Sequence, residues 1–474
     1  MLTYSLDNIG SESLYLYLYR CIKNDIQDGT LSSGEQLPSK RSFARHLGIS
    51  NITVENTYAL LQSEGYIYSI PKTGFFISDL SVLPEKPNAN MRGRLQYNNM
   101  PVPPGIQEKN YFADFVSNYA APESFPFSVW AKLMRETISI KQNELVQNPP
   151  CGGVMELRSA ICEHLRQFRG MEISPEQVIV GAGTEYLYNL LVNLLGREKI
   201  YAVETPGYRK ISKIYQINGA CCKFIDMDSS GIRIDKLLSW KADIAHISPS
   251  HHYPSGIVMP ASRRHELLSW AAENKNRYII EDDYDSEFRF AAKPMPTLQS
   301  IDKTEKVIYI NTFTKSLAST IRISYMVLPR NLLRRFFGEF SFFSGTVSNF
   351  EQYTLAKFIH DGYFEKHINR MRNYYRSIRD DLLNEIASSS LAAHSTITEE
   401  TAGLHFILEL DTRMSDRMLV QKAAENGIHI SCLSEYYHTT LGGPKHTIVM
   451  NYSGISRDKI HEAIKRLADA VGYK

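Results

Sequence analysis

Cysteine is scarce and scattered: six residues in 474 (Cys21, Cys151, Cys162, Cys221, Cys222 and Cys432), with no C-x-x-C spacing. That argues against a disulfide-stapled scaffold and against a zinc site, so no metal is expected, and a reducing cytoplasm is the expected setting. Long apolar runs are also missing. None approaches the roughly 20 residues of a membrane span. The opening residues, Met1-Leu2-Thr3-Tyr4-Ser5-Leu6-Asp7, lack the basic-then-apolar layout of a signal peptide. A soluble chain with no membrane partner follows as the expectation. Nor is there a charge excess of either sign: the formal net charge is +2, which by itself does not suggest nucleic acid. What composition does offer is 43% hydrophobic and 22% charged residues, the balance of a globular protein. The length suits two or three domains.

The stretch with most chemistry runs from Tyr278 to Met326. Ile279-Ile280-Glu281-Asp282-Asp283-Tyr284-Asp285 and Val307-Ile308-Tyr309-Ile310-Asn311-Thr312-Phe313-Thr314-Lys315-Ser316 each read as a short apolar strand ending in reactive polar residues. Ligands of open α/β sheets bind at the carboxyl ends of strands. One strand end offers a carboxylate pair and the other a lysine among hydroxyls. A carboxylate that keeps a pyridine nitrogen protonated, opposite an amine that forms a Schiff base, is what pyridoxal phosphate needs. The same residues would also make a plain strand-end ion pair.

The first eighty residues have a different grammar. Leu14 to Asp28 carries Leu14, Leu18, Ile22 and Ile26 at helical spacing and stops at Gly29. Ser39 caps a short helix through Phe43, Ala44 and Leu47 that ends at Gly48. Ser50 starts a second helix, Asn51 to Glu64, with Val54, Tyr58 and Leu61 on one face. Two helices around a tight glycine turn form a helix-turn-helix, whose second helix enters the major groove. Tyr66 to Ile70 and Gly74 to Ile77 flank Pro71-Lys72-Thr73 as a hairpin wing. Residues 1–80 hold six lysines and arginines against eight acidic residues, so non-specific DNA affinity should be modest. A winged helix that mediates only protein contacts is the competing reading.

From residue 81 to 110 periodicity disappears among Pro84, Pro87, Pro101, Pro103 and Pro104, as in a flexible linker. Residues 111–474 then alternate helices and apolar strands, the pattern of a doubly wound, mainly parallel sheet. Val178-Ile179-Val180 runs through Gly181-Ala182-Gly183-Thr184-Glu185 into a helix from Tyr186, a strand–turn–helix recipe for an anion site. Thr205-Pro206-Gly207-Tyr208 follows a strand over Ile200 to Val203. Ile244 to Ser248 leads into Pro249-Ser250-His251-His252-Tyr253-Pro254-Ser255-Gly256, and Arg322 stands seven residues after Lys315.

These residues carry a specific resemblance. Leu37 to Val54 is similar to the GntR-type signature L-P-S-x-R-x-L-A-x-x-L-G-V-S-x-x-T-V, with Phe43 and Ile49 as conservative replacements, and Glu64-Gly65-Tyr66 adds to it. Glu281 to Arg289, Thr312-Phe313-Thr314-Lys315, Ser248-Pro249-Ser250-His251, Pro254-Ser255-Gly256 and Ala402-Gly403-Leu404-His405 resemble a fold-type I aminotransferase. Joined, they resemble the MocR/GabR family of pyridoxal-phosphate-dependent regulators over essentially the whole chain.

The resemblance implies an α/β protein with an N-terminal winged helix-turn-helix, a type I transferase fold and a smaller α+β C-terminal subdomain. It implies that Lys315 forms the Schiff base, Asp282 partners the pyridine nitrogen, Tyr284 bonds the phenolic oxygen and Tyr208 stacks on the ring. Gly183, Thr184, Thr312, Thr314 and Arg322 would hold the phosphate. Lys40, Arg41, Arg45, Ser50, Asn51, Thr53 and the wing tip Lys72, Thr73 and Gly74 would meet a double-stranded DNA operator. A head-to-tail homodimer is implied, with pyridoxal phosphate or an amino compound as effector. Three departures stand out. Asn51 occupies a position often held by arginine, which suits adenine. Val449 stands where the substrate-carboxylate arginine is expected, with Lys445 or Arg209 as imperfect substitutes. Asn148 replaces a tyrosine that reaches the partner's phosphate. These departures weigh against ordinary transamination. An active aminotransferase with a vestigial reader, and a sensor of pyridoxal phosphate controlling vitamin B6 synthesis, are the alternatives.

Overall fold

The computed structural model describes residues 2–4, 12–79, 110–117, 125–290, 295–401, 403–438 and 443–473. The chain divides into two compact units, Met1–Glu108 and Lys109–Lys474. Apart from Asn110, the linker expected over residues 81–110 lies outside the described residues, as does Ala402.

In the smaller unit, α1 (Leu14–Gln27) buries Leu18, Ile22 and Ile26 along one stripe. The helices α2 (Lys40–Leu47) and α3 (Asn51–Ser63) form the helix-turn-helix, and their ends are set by local chemistry. Ser39 accepts from the Ser42 amide at 3.2 Å, and Ser50 accepts from the Thr53 amide at 3.1 Å. Gly48 takes the left-handed conformation between them, φ 69°, a conformation that costs glycine little. Phe43, Val54, Tyr58 and Leu61 close over α1 in one core. Beside it lies a three-stranded antiparallel sheet of β1 (Gln36–Leu37), β2 (Ile67–Ile70) and β3 (Gly74–Ile77), in the order β1-β3-β2. The turn between β2 and β3 is the wing tip, where Lys72 has φ 65°.

The larger unit opens with β4 (Ala113–Asp114). Its centre is an eight-stranded sheet: β5 (Val178–Ala182), β6 (Ile200–Thr205), β7 (Cys221–Asp228), β8 (Gly231–Ile232), β9 (Ile244–Ile247), β10 (Tyr278–Asp282), β11 (Val307–Thr312) and β12 (Ile323–Val327). The order is β5-β12-β11-β10-β9-β6-β7-β8. The central strands are apolar and buried on both faces, as expected where helices cover a parallel sheet. β12 departs from the parallel pattern, pairing antiparallel with both β11 and β5. Its amino end therefore lies at the same edge as the carboxyl ends of its neighbours, which is what brings Arg322 there. The C-terminal subdomain is a three-stranded antiparallel sheet of β13 (Ser395–Thr398), β14 (His405–Leu410) and β16 (Thr447–Asn451). Helices Tyr363–Ser388, Asp416–Glu425 and Ile460–Val471 share its apolar core, and β15 (Ile428–His429) pairs with β4. The fold is α/β with a mixed, mostly parallel central sheet.

Candidate functional site

At the carboxyl edge of the large sheet the polar residues at the strand ends meet. Asp282, the last residue of β10, is 5% exposed. Its Oδ2 accepts from the Tyr188 hydroxyl and lies 3.4 Å from His246 Nε2. His246 is fixed from behind, its Nδ1 2.5 Å from the Tyr215 hydroxyl. Asp282 Oδ1 is buried and finds no partner among the described residues. A buried, unpaired carboxylate oxygen is costly unless something donates to it. Burial and the Asp282 carboxylate push the Tyr188 phenol well up, so it stays a donor.

On the neighbouring strand, Thr312 ends β11 and caps the turn Phe313–Ser316, which presents Lys315. Thr312 Oγ1 accepts from the Thr314 amide at 3.1 Å, contacts the Thr314 hydroxyl at 2.9 Å and accepts from Ser324 Oγ at 2.8 Å. Desolvation pushes the Lys315 amine down to about 8, with Asp285 opposing.

The third group is the turn after β5. Gly183 has φ 89° and precedes the helix Thr184–Leu195, whose amino terminus is a partial positive charge. A Cβ at Gly183 would stand 2.5 Å from Arg322 Nη2, so only glycine lets the guanidinium come this close. Arg322 is also 3.5 Å from Glu185, which accepts from Lys210.

Around this edge stand further polar and aromatic groups. The Tyr284 hydroxyl is 3.3 Å from His251 Nδ1, which is 2.7 Å from Asp285 Oδ2. His405 lies against His251 with ring centroids 4.5 Å apart, and burial carries it well below the usual histidine value. His252 is 3.5 Å from Glu204; burial drives that histidine down to about 3 and that carboxyl up to about 8. Asp283 faces away from Asp282, into a buried bond with Arg169 at 2.6 Å and the Tyr309 hydroxyl at 2.8 Å. Tyr208 is 49% exposed, its ring edge-on to Tyr253 at 6.1 Å.

The positions weighed for a substrate carboxylate differ in their surroundings. Val449, 1% exposed, packs in an apolar cluster with Ile407 and Leu433. Lys445 is exposed, and Arg209 donates to the Tyr437 carbonyl at 3.0 Å. In the small unit, Arg41, Arg45, Ser50, Asn51, Lys72, Thr73 and Lys40 line α2, the start of α3 and the wing. Arg41, Arg45 and Asn51 are exposed, while Lys40 is paired with Glu55 at 2.7 Å. The Thr53 hydroxyl is 2.8 Å from Ser50 Oγ, and Gly74 opens β3 against Gln36.

Two family models match: the bacterial regulatory proteins of the gntR family over residues 14–77, and aminotransferase class I and II over residues 116–467. The chain is 30% identical over 480 residues to the probable rhizopine catabolism regulatory protein MocR of Rhizobium meliloti, covering 98% of this chain and 95% of that one. The chain belongs to the MocR-type transcriptional regulators. The chain is 38% identical to the uncharacterized HTH-type transcriptional regulator YdeL of Bacillus subtilis, over 96% of each chain. It is 28% identical to the pyridoxine biosynthesis regulator PdxR of Corynebacterium glutamicum, over 95% and 94%. The kynurenine aminotransferase structure of Pyrococcus horikoshii shares the fold, with a TM-score of 0.67 at 22% identity, covering 77% of this chain and 91% of that one. A MocR-type regulator thus joins a DNA-binding winged helix to an aminotransferase fold, a fold that is pyridoxal-phosphate-dependent. Among the described residues no helix is long and apolar enough to cross a membrane.

Proposed function

We propose that this regulator holds pyridoxal phosphate at the sheet edge and uses it as a sensor, rather than for efficient transamination. One observation carries the reading: a buried carboxylate with an orphaned oxygen, Asp282 Oδ1, beside a strand end whose lysine amine is pushed toward its neutral form. A protonated pyridine nitrogen fits that oxygen, and a neutral amine is the form that attacks an aldehyde. Lys315 carries the cofactor covalently, Asp282 accepts from its ring nitrogen and Tyr284 meets its phenolic oxygen. Tyr208 covers the ring. Gly183 and Thr184 at a helix amino terminus, the Thr312 and Thr314 hydroxyls and the Arg322 fork hold the phosphate. The bound group supplies an electron sink; the chain supplies position, charge and a water-poor floor.

Arg41, Arg45, Lys40, Lys72, Thr73 and Gly74 position the reader on the DNA backbone, and Ser50, Asn51 and Thr53 bring α3 to the bases. The working form is a head-to-tail homodimer in the cytoplasm. Ligand binding changes the pose of its two readers only through different affinity for two arrangements.

A second reading, in which pyridoxal phosphate is itself the signal and the targets make vitamin B6, is favoured by the apolar packing of Val449. That packing leaves an amino-acid carboxylate without a clamp. The likeness to the pyridoxine biosynthesis regulator agrees with it. The test is to titrate the protein with pyridoxal phosphate, then with amines that have or lack a carboxylate, recording visible absorbance and operator affinity together. Wild-type protein should yellow with pyridoxal phosphate and become fixable by borohydride, and Lys315→Ala should do neither. Full colour in Lys315→Ala would overturn the site. Operator affinity that moves with pyridoxal phosphate alone selects the second reading. Many-turnover amino transfer with no operator binding selects an active aminotransferase.

A further inference from the structure

The reading helix α3 has an unusual surface. Its sequence, Asn-Ile-Thr-Val-Glu-Asn-Thr-Tyr-Ala-Leu-Leu-Gln-Ser, contains no lysine, arginine or histidine. Val54, Thr57, Tyr58 and Leu61 face the core, leaving Asn51, Ile52, Glu55 and Asn56 toward solvent. Ile52 is 68% exposed, more than any other large apolar side chain among the described residues of this unit. It sits in the first turn, directly after Asn51 and two residues past the Ser50 cap. A β-branched apolar residue there adds nothing to the core and is a poorer helix former than alanine. Lys40 of α2 is paired with the Glu55 carboxylate of this helix at 2.7 Å.

Helix-turn-helix proteins bring the amino-terminal residues of the second helix to base edges in the major groove. The apolar group displayed there is the C5-methyl of thymine, and asparagine pairs with adenine through N6 and N7. We propose that Ile52 is a base-reading residue that packs on a thymine methyl beside the base pair met by Asn51. The first turn of α3 then selects an A·T-containing core by an amide and an alkyl group, without an arginine fork. The proposal rests on α3 being the element that enters the groove.

The experiment uses the full chain. Selection from a random duplex pool gives the operator, and each thymine in it is then replaced by deoxyuridine, which removes only the methyl. Binding of wild type and Ile52→Ala is followed by fluorescence anisotropy over a series of salt concentrations. At one thymine per half-site, deoxyuridine should weaken wild-type binding roughly fourfold, the value of one buried methyl. Ile52→Ala should weaken binding to the parent operator about tenfold and be indifferent to that same replacement, with an unchanged salt slope because no phosphate contact is lost. Equal deoxyuridine effects in both proteins, or an Ile52→Ala protein with wild-type affinity, would overturn the assignment. So would a loss of affinity that sedimentation traces to a lost dimer, which makes Ile52 a protein contact. A wild-type protein that enriches no sequence at all removes the reader itself, a failure distinct from the others. Ile52 is exposed and alanine favours helix, so the variant should fold as the wild type does.

Discussion

At the carboxyl edge of the large sheet, polar groups hold one another, buried at Tyr188 and His246 on Asp282 and at Ser324 on Thr312, and open to solvent at Arg322 over Gly183. In the C-terminal subdomain that meets this edge through Tyr436 and Tyr437, Val449, Ile407 and Leu433 pack together as an apolar cluster. The first region leaves a buried carboxylate oxygen of Asp282 unpaired, whereas Val449 in the second is packed against apolar side chains. An aminotransferase that handles amino acids needs both a cofactor floor and a carboxylate clamp. The difference between the regions is why the proposed role is sensing.

The strongest challenge is to place a guanidinium at Val449. If Val449 lines a vacated but otherwise intact clamp, Val449→Arg should be tolerated and should raise affinity for amino acids over the matching amines. If it belongs to a packed apolar wall, the guanidinium enters a nearly fully buried site among Ile407 and Leu433. An uncompensated buried charge costs about 3–5 kcal/mol. The expected outcome is a clear drop in the urea midpoint at unchanged slope, with no preference for carboxylate-bearing amines. A stable variant with gained amino-acid affinity would remove the contrast between the two regions.

A smaller effect sharpens the phosphate end. Gly183→Ala introduces a side chain at φ 89° and within 2.5 Å of Arg322 Nη2. A residue forced into that backbone region costs about 1–3 kcal/mol, and the guanidinium has to retreat from the helix terminus. The strain lowers stability, while loss of the guanidinium contact, about 1.5–3 kcal/mol, should weaken pyridoxal phosphate binding roughly 10- to 150-fold, measured by fluorescence quenching. Affinity for pyridoxal, which has no phosphate, should hardly change. Equal losses for both would mean that Gly183 serves the fold rather than the phosphate.

How much of this could be read from the chain alone depended on whether the signal was local. Ser39, Gly48 and Ser50 act on their own helix ends, so the helix-turn-helix was legible residue by residue. Asp282 and Lys315 could be placed at one edge because Asp282 ends an apolar strand and Lys315 stands three residues past the end of its neighbour. The reversal of β12 was not foreseen, since an apolar five-residue strand has the same composition in either direction. The contacts of Tyr188 with Asp282 and of Arg169 with Asp283 join residues 94 and 114 positions apart, a separation that no periodicity encodes. Val449 could be flagged as a departure, but whether it left a gap or a packed wall required the cluster around it. Ile52 was passed over because an exposed isoleucine draws notice only once burial is known.

The finest distinction concerns what sets the lysine. Burial pushes the Lys315 amine down to about 8, against the usual 10.5, and Asp285 works in the opposite direction. The neutral amine is the nucleophile, so capture of pyridoxal phosphate should speed up about tenfold per pH unit below 8 and level off above it. An unperturbed lysine would still be accelerating at pH 9. Stability must carry the same signature in the cofactor-free protein. The folded state gives up this proton near 8 and the unfolded chain near 10.5, so between those values the unfolded state binds more protons. The contribution of Lys315 therefore becomes more favourable as pH rises through that window, relative to Lys315→Met, which has no such group. Glu204, raised to about 8 by burial, works the other way: its contribution is lost as pH rises toward 8. It is present in both proteins and drops out of the difference. Urea unfolding of the pair at pH 7.5, 8.5 and 9.5 reads the lysine alone. Because Asp285 raises the amine, Asp285→Asn should move the inflection in capture rate to lower pH; an upward shift would mean that the carboxylate acts through His251 rather than on the lysine.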